Sequence, residues 1–396
     1  MSFIVFLQLF VSPLITYQYF DNQASFIMYV DQEVYMSYML IALCSFSLGL
    51  HLPLVRFNIK EVVSKLSFSS NYQSLAIKFI VVGVILSSLN SVIPGPIRFV
   101  VYLIATLRFI GVFILLFSNN QFKWLWLFIV FGHFGLEIIR GGVFVELFVW
   151  SGFLYMFLEI KWRSSFIRKI TLVSSGLILI YFIQTVKGEY RAEVWSGSNK
   201  VAKEDVFLDI AENKLQEGNT FSETSNFDRF ISRLNTGWIV SKVMEHTPKR
   251  EPFTNGELLK QDLVNVFLPR FLFPDKASIG GKQNQEKFTR FTGRRLVGGT
   301  TMRIGAFSDA YVNFGVIGGW ICMFVLGLLF NIILSVMFKL STKKPIYLLW
   351  IPFVFAYTIR MSDLQVILNF AFKGLVFMLI VNYLFFNKKE TNIEES

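Results

Sequence analysis

Residues 263–319 read LVNVFLPRFLFPDKASIGGKQNQEKFTRFTGRRLVGGTTMRIGAFSDAYVNFGVIGG. The stretch begins in a polar segment, gathers basic side chains, and ends in an apolar run of membrane-spanning length. It therefore marks where the chain passes from water to bilayer. From Pro269 to Arg303 it holds Arg270, Lys276, Lys282, Lys287, Arg290, Arg294, Arg295 and Arg303 against Asp275 and Glu286, a surplus of six positive charges. Arginine offers a planar fork of donors matched to phosphate oxygens. The pairs Gly280-Gly281 and Gly298-Gly299 let backbone amides approach an anion closely. The pattern favours a phosphate or pyrophosphate ligand; the plainer alternative is a solvated basic loop beside anionic headgroups.

Around this stretch the chain is apolar. Of 396 residues 54% are hydrophobic and 17% aromatic, with 45 Phe, and the mean hydropathy is +0.52. These values lie outside those of soluble globular domains and indicate an integral membrane protein. The net charge of +11 sits in connectors between apolar runs, where it orients a chain in the bilayer, and argues against nucleic acid as a partner. Cys44 and Cys322 fall inside apolar runs, so no disulfide framework is expected. His51, His133 and His246 lack metal-ligand spacing, and no metal or cofactor is expected.

A span needs roughly 20 apolar residues, and ten runs qualify: Phe3–Tyr19, Val34–Val55, Leu75–Ile93, Ile97–Phe117, Phe122–Ile139, Val143–Ile160, Phe166–Val186, Val312–Phe338, Ile346–Arg360 and Leu364–Phe386. Without a basic flank or a small-residue cleavage site, the first reads as a retained span. Arg56, Lys60, Lys65, Lys123, Lys161, Arg163, Arg168, Lys169, Lys339, Lys343, Lys344, Lys388 and Lys389 all fall on one side of this arrangement. The positive-inside rule makes that side, and both termini, cytoplasmic. The expected fold is an all-α polytopic membrane protein: seven spans in 1–186, a large extracytoplasmic loop at 187–304, three spans in 305–388 and a cytoplasmic tail at 389–396.

Within the loop, Phe227, Phe230, Ile231, Leu234 and Trp238 recur at helical spacing behind Ser225, with Arg229 and Arg233 on the polar side. This predicts an amphipathic helix, lying at the membrane interface or packed on the rest of the loop. A second helix is expected over 256–267, ending before Pro269.

Asp309 stands at the outer end of the eighth span. An acid at that depth is costly unless paired or functional, which makes it a candidate general base, with a helix cap or a salt bridge to Arg303 as the alternative. Gly315, Gly318 and Gly319 suit close helix packing. Glu137, Arg140, Arg360 and Asp363 fall at outer span ends, as interfacial anchors or as the rim of a cavity. Arg108, inside the fourth span, needs a partner or a cavity.

The plan of ten or more spans with one large loop resembles the Wzy-type O-antigen polymerases, the oligosaccharide repeat-unit polymerases. So do two local segments, Leu268-Pro-Arg-Phe-Leu-Phe-Pro-Asp-Lys276 and Gly305-Ala-Phe-Ser-Asp-Ala-Tyr-Val-Asn-Phe-Gly-Val-Ile-Gly318. In that family Glu is common where this chain has Asp309. The resemblance implies a metal-independent glycosyltransferase of the GT-C-type, lipid-linked-sugar architecture in a bacterial inner membrane. It would join undecaprenyl-pyrophosphate-linked repeat units, donor and acceptor, alongside a flippase and a chain-length regulator. It implies catalytic roles for Asp309, Arg270 and Arg303, and substrate contacts from Arg140, Arg233, Lys276, Arg290, Arg294, Arg295, Tyr311, Asn313 and Arg360. An O-antigen ligase-like transferase and a lipid-linked oligosaccharide flippase or transporter share the same plan.

Overall fold

The computed structural model describes residues 2–19, 27–55, 59–89, 92–142, 144–162, 164–195, 202–216, 230–268, 282–296, 302–358 and 361–387. Among them the chain is almost wholly helical, with one isolated bridge between Phe68 and Ser118. Eight helices are long and apolar enough to cross a membrane. They bury only part of their surface, and residues such as Ile167, Ile178 and Ile321 stand exposed. On a spanning helix such a face is covered by lipid, because the backbone is already satisfied internally.

Two of the ten expected spans differ. The sixth forms a helix, α6 (Val145–Trp162), but carries Glu146, Glu159 and Lys161 near its ends, and Glu159 pairs with Lys169 at 3.0 Å. The ninth, expected to reach Arg360, is helical only from Ile346 to Phe355, divided by Trp350 ahead of Pro352. At about 1.5 Å per residue this is roughly half a bilayer.

The chain folds as two compact units, one of residues 1–59 and 234–396, the other of 60–233. The 187–304 loop is thus shared between them. In the second unit α3 (Ser70–Ser88) and α4 (Gly95–Leu116) lie backbone to backbone. A Cβ on Gly83 would come within 2.6 Å of the Ala105 carbonyl, and one on Gly111 within 2.6 Å of the Ala76 carbonyl. Arg108, 5% exposed, extends from α4 to Glu137 on α5 (Lys123–Gly141) in a two-pronged pair of 2.6 and 3.2 Å. The same guanidinium bonds Ser87 and lies 3.3 Å from His133. The seventh span, α7 (Phe166–Trp195), outruns its expected end at Val186. It packs against α8 (Lys203–Gln216) through Tyr190 and Phe207.

In the first unit α1 (Ser2–Tyr19) and α2 (Gln32–His51) frame the loop's return. The predicted helix through Trp238 is interrupted: 230–234 are helical, and a new helix, α9 (Gly237–His246), follows Asn235 and Thr236. Asn235 makes the break. Its amide donates to Thr16 Oγ1 at 2.9 Å, and its oxygen accepts from the Trp238 N–H at 3.2 Å. The second predicted helix is present as α10 (Glu257–Phe267). A third, α11 (Lys282–Thr292), lies where the sequence reads as a basic loop. The long α12 (Ala306–Lys343) pairs with α2, where a Cβ on Gly49 would run into the Phe324 carbonyl oxygen and one on Gly327 into the Phe46 carbonyl oxygen. A short α13 (Ile346–Phe355) and α14 (Leu364–Val381) complete the unit.

Gly319 faces Tyr38 on α2, as close helix packing requires. Gly315 does something else: at φ 69° and ψ −159° it breaks α12. Two carbonyls in the turn before the break are taken up by the loop ahead of α10, Thr254 N–H bonding Val312 O at 2.9 Å and Gly256 N–H bonding Asn313 O at 3.2 Å.

Candidate functional site

The segment of α12 before this break runs from Ala306 to Phe314, and eight of its residues, Ala306 through Asn313, are buried. Asn313 is a tie. Its Oδ1 accepts from the Leu259 N–H at 3.0 Å and from Thr254 Oγ1 at 2.9 Å, while its Nδ2 donates to the Asp309 carbonyl at 2.8 Å. Leu259 is in the first turn of α10, so a side chain from another helix satisfies an amide that the helix leaves open. Tyr311 is packed between Tyr38 and Phe253, with ring centroids at 5.2 and 5.4 Å, and donates to the Thr247 carbonyl at 3.3 Å.

Asp309 is 1% exposed. Its Oδ1 lies 2.6 Å from the ammonium of Lys287 on α11, and its Oδ2 accepts from the Leu364 N–H, the first amide of α14, at 2.8 Å. Asp363, the residue before α14, answers in kind: its Oδ1 accepts from the N–H of Gly305, the residue before α12, at 2.8 Å. Two helices thus cap each other's N-termini with their own acids. Lys287 reaches Asp363 at 4.0 Å and Asp262 on α10 at 3.5 Å as well. One ammonium, 11% exposed, therefore sits among three carboxylates brought from three other segments.

Charge explains the arrangement. Fully ionised, the four groups sum to −2; two helix N-termini, each equivalent to about half a positive charge, offset part of that. Burial works against the Lys287 charge, but Asp309, Asp363 and Asp262 outweigh it and hold the ammonium well above its usual pKa. Burial, with Asp363 nearby, pushes the Asp262 carboxyl up despite Lys287. Lys287 completes the cluster that joins α10, α11, α12 and α14. Asp309 has a salt bridge, as the alternative expected, but its partner is Lys287 and not Arg303.

The cluster fixes α11, whose far end carries cations. Arg290 is exposed, pairs with Glu251 at 2.6 Å and lies over the Phe291 ring. Gly293, at φ +66°, ends the helix against His246, where a Cβ would come within 2.7 Å of the imidazole. Arg294 lies 5.9 Å from the Trp238 ring centroid, and Arg295 and Arg303 are exposed. Arg294, Arg295 and Arg303 have no carboxylate partner among the described residues.

Arg140 and Arg233 belong to the other unit. Arg140 pairs with Glu204 at 2.5 Å, and Arg233 is exposed. Glu137 is committed to Arg108. Arg270, Lys276, Arg360 and both loop glycine pairs lie outside the described residues. Sequence reasoning missed Lys287 as the hub and Asp262 as a member. Among the described residues no group of three or more His, Cys, Asp or Glu is arranged to hold a metal ion.

A family model described as a domain of unknown function (DUF8712) matches residues 3–392, so the chain belongs to that family. No curated protein and no solved structure matches the chain.

Proposed function

We propose that this member of the DUF8712 family polymerises undecaprenyl-pyrophosphate-linked oligosaccharide repeat units into O-antigen, capsule or exopolysaccharide chains. The reaction is placed at the outer face of a bacterial inner membrane, with both termini cytoplasmic. One observation carries the reading: Arg294, Arg295 and Arg303 stand exposed and free of carboxylate partners among the described residues, between α11 and α12, which Lys287 joins.

In the transfer, the acceptor hydroxyl oxygen bonds the donor's anomeric carbon and gives up its proton to water, while the bond from that carbon to the pyrophosphate oxygen breaks. Negative charge grows on the departing pyrophosphate. Forked, preorganised guanidinium donors stabilise such charge without reorganising at the moment of reaction. Support on packed helices keeps the donors in place while two substrates are held together. Asp309 enters as a positioning residue, because both its oxygens are engaged, one by Lys287 and one by Leu364. Tyr311 and Asn313 are positioning residues for the same reason.

A strain lacking the gene tests this, complemented with wild type, with Arg294→Ala plus Arg303→Ala, or with Lys343→Ala, its surface glycan resolved as a gel ladder. Wild type and Lys343→Ala should restore the ladder; the double variant, at normal protein level, should leave single-repeat caps. A full ladder from the double variant overturns the reading. A second reading, a flippase or transporter of lipid-linked oligosaccharide, is favoured by the charged network of Arg108, Glu137 and His133 inside the spans. It predicts lipid-linked units accumulating on the cytoplasmic face of the deletion strain, with no surface glycan.

A further inference from the structure

Helix α10 has two unlike flanks. Asp262 and Val266 face inward, Asp262 toward Lys287. The other flank is largely exposed: Val264 is 52% and Phe267 58% exposed, although Phe267 also sets its ring edge-on to Phe372 of α14 at 4.8 Å. Phe314, the last residue before the break in α12, completes the facing wall. Gly256 makes room for it, since a Cβ there would come within 2.9 Å of the Phe314 ring. The result is an open groove of about 640 Å³ walled by Leu263, Val264, Phe267, Leu268 and Phe314, with Glu257 and Lys260 at one end.

The groove continues into a lipid-facing surface. Past the break, Ile317, Ile321 and Val325 of α12 are exposed at four-residue spacing, one stripe of a spanning helix. Groove and stripe are separated by two residues of chain. The volume lies within the range of roughly 300–1,000 Å³ typical of small-molecule sites. A protein partner would need about 800 Å² on its side, more than one flank of an 11-residue helix offers.

We infer that the groove holds one hydrocarbon chain of a membrane lipid, entering from the bilayer along the α12 stripe with its polar head toward Lys260. This goes beyond the transfer reading and does not depend on it, since any lipid with a free chain suffices.

The test uses the full chain in nanodiscs of phosphatidylglycerol, doped with a phosphatidylglycerol carrying a diazirine at the end of one acyl chain. After illumination, adducts are mapped by peptide mass spectrometry. Adducts are expected on the peptide 261–270 and around 317–325. In Val264→Trp, which fills the groove from an exposed position, the first adduct should be lost and the second kept. Leu263→Trp repeats the test where Val264→Trp folds poorly. The inference is overturned if wild type is labelled at 317–325 but not at 261–270. It is overturned equally if both tryptophan variants keep the α10 adduct, as a merely lipid-facing surface would, or if α10 instead crosslinks to a second copy of the chain.

Discussion

Two buried cations hold this molecule together in different ways. Arg108 meets one carboxylate, Glu137, on the neighbouring span, with Ser87 and His133 beside it. Lys287 meets three carboxylates, at positions 262, 309 and 363, drawn from segments scattered over a hundred residues. The first is a pair between adjacent helices, and its charge closes within the pair. The second has excess negative charge, and helix N-termini and proton uptake must supply the rest. A buried ion set with one cation for three acids is a joint of the fold: its loss leaves several unpaired charges, where loss of a simple pair leaves one.

The largest predicted effect follows. Lys287→Met should cost about 3–5 kcal/mol, the range for breaking a buried pair by removing one partner, read as a drop in the thermal midpoint or loss of folded protein in detergent. Arg108→Met leaves only the half-buried Glu137 uncompensated and should cost less, about 1–3 kcal/mol. Equal losses would break the charge-counting argument. Next in size, Asp309→Asn introduced into Lys287→Met should recover part of the loss, with a coupling of about 1–3 kcal/mol. Strictly additive effects would mean that the 2.6 Å contact carries little.

The pH dependence sharpens the same contrast. The Asp262 carboxyl is raised in the folded protein, so its proton stabilises the fold at acid pH, and that contribution is lost as pH rises from the unfolded carboxylate value through the folded one. The Lys287 ammonium is also raised; its contribution is complete below the usual lysine value and is lost as pH climbs from there through its folded one. Asp262→Asn should therefore gain stability relative to wild type as pH goes from acid to neutral. A difference between the two proteins that does not change with pH refutes the uptake of a proton at Asp262.

Much of this architecture was legible in sequence. Apolar runs of spanning length, the helix ending before Pro269 and the need of Arg108 for a partner all follow from local hydropathy or a single misplaced charge. Lys287 was not legible as a hub, because its three partners are 22 or more positions away and nothing local distinguishes it from seven other cations. A signal did exist: Asn284, Phe288, Phe291 and Thr292, all buried, fall at helical spacing, but the charge surplus made α11 read as loop. Gly315 read as a packing glycine because a helix break and a close approach call for the same residue type. The helix expected through Trp238 breaks at Asn235, where bonds to Thr16 and Trp238 override an unbroken apolar period.

The smallest stability effect makes the sharpest functional test. Arg290 and Glu251 form an exposed pair, and such pairs contribute about 0–1 kcal/mol. Arg303 has no carboxylate partner among the described residues and so contributes no ion pair there. Arg290→Ala and Arg303→Ala should therefore leave the unfolding midpoint within about 1 kcal/mol of wild type. If the cations beyond α11 serve a departing pyrophosphate, Arg303→Ala should still shorten the glycan ladder, whereas Lys287→Met should shorten it only as far as it removes folded protein. Ladder length normalised to folded protein separates the two. A normalised loss in Arg303→Ala alone assigns chemistry to the exposed cations and architecture to the buried one; a normalised loss in Lys287→Met alone moves the chemistry to the buried cluster.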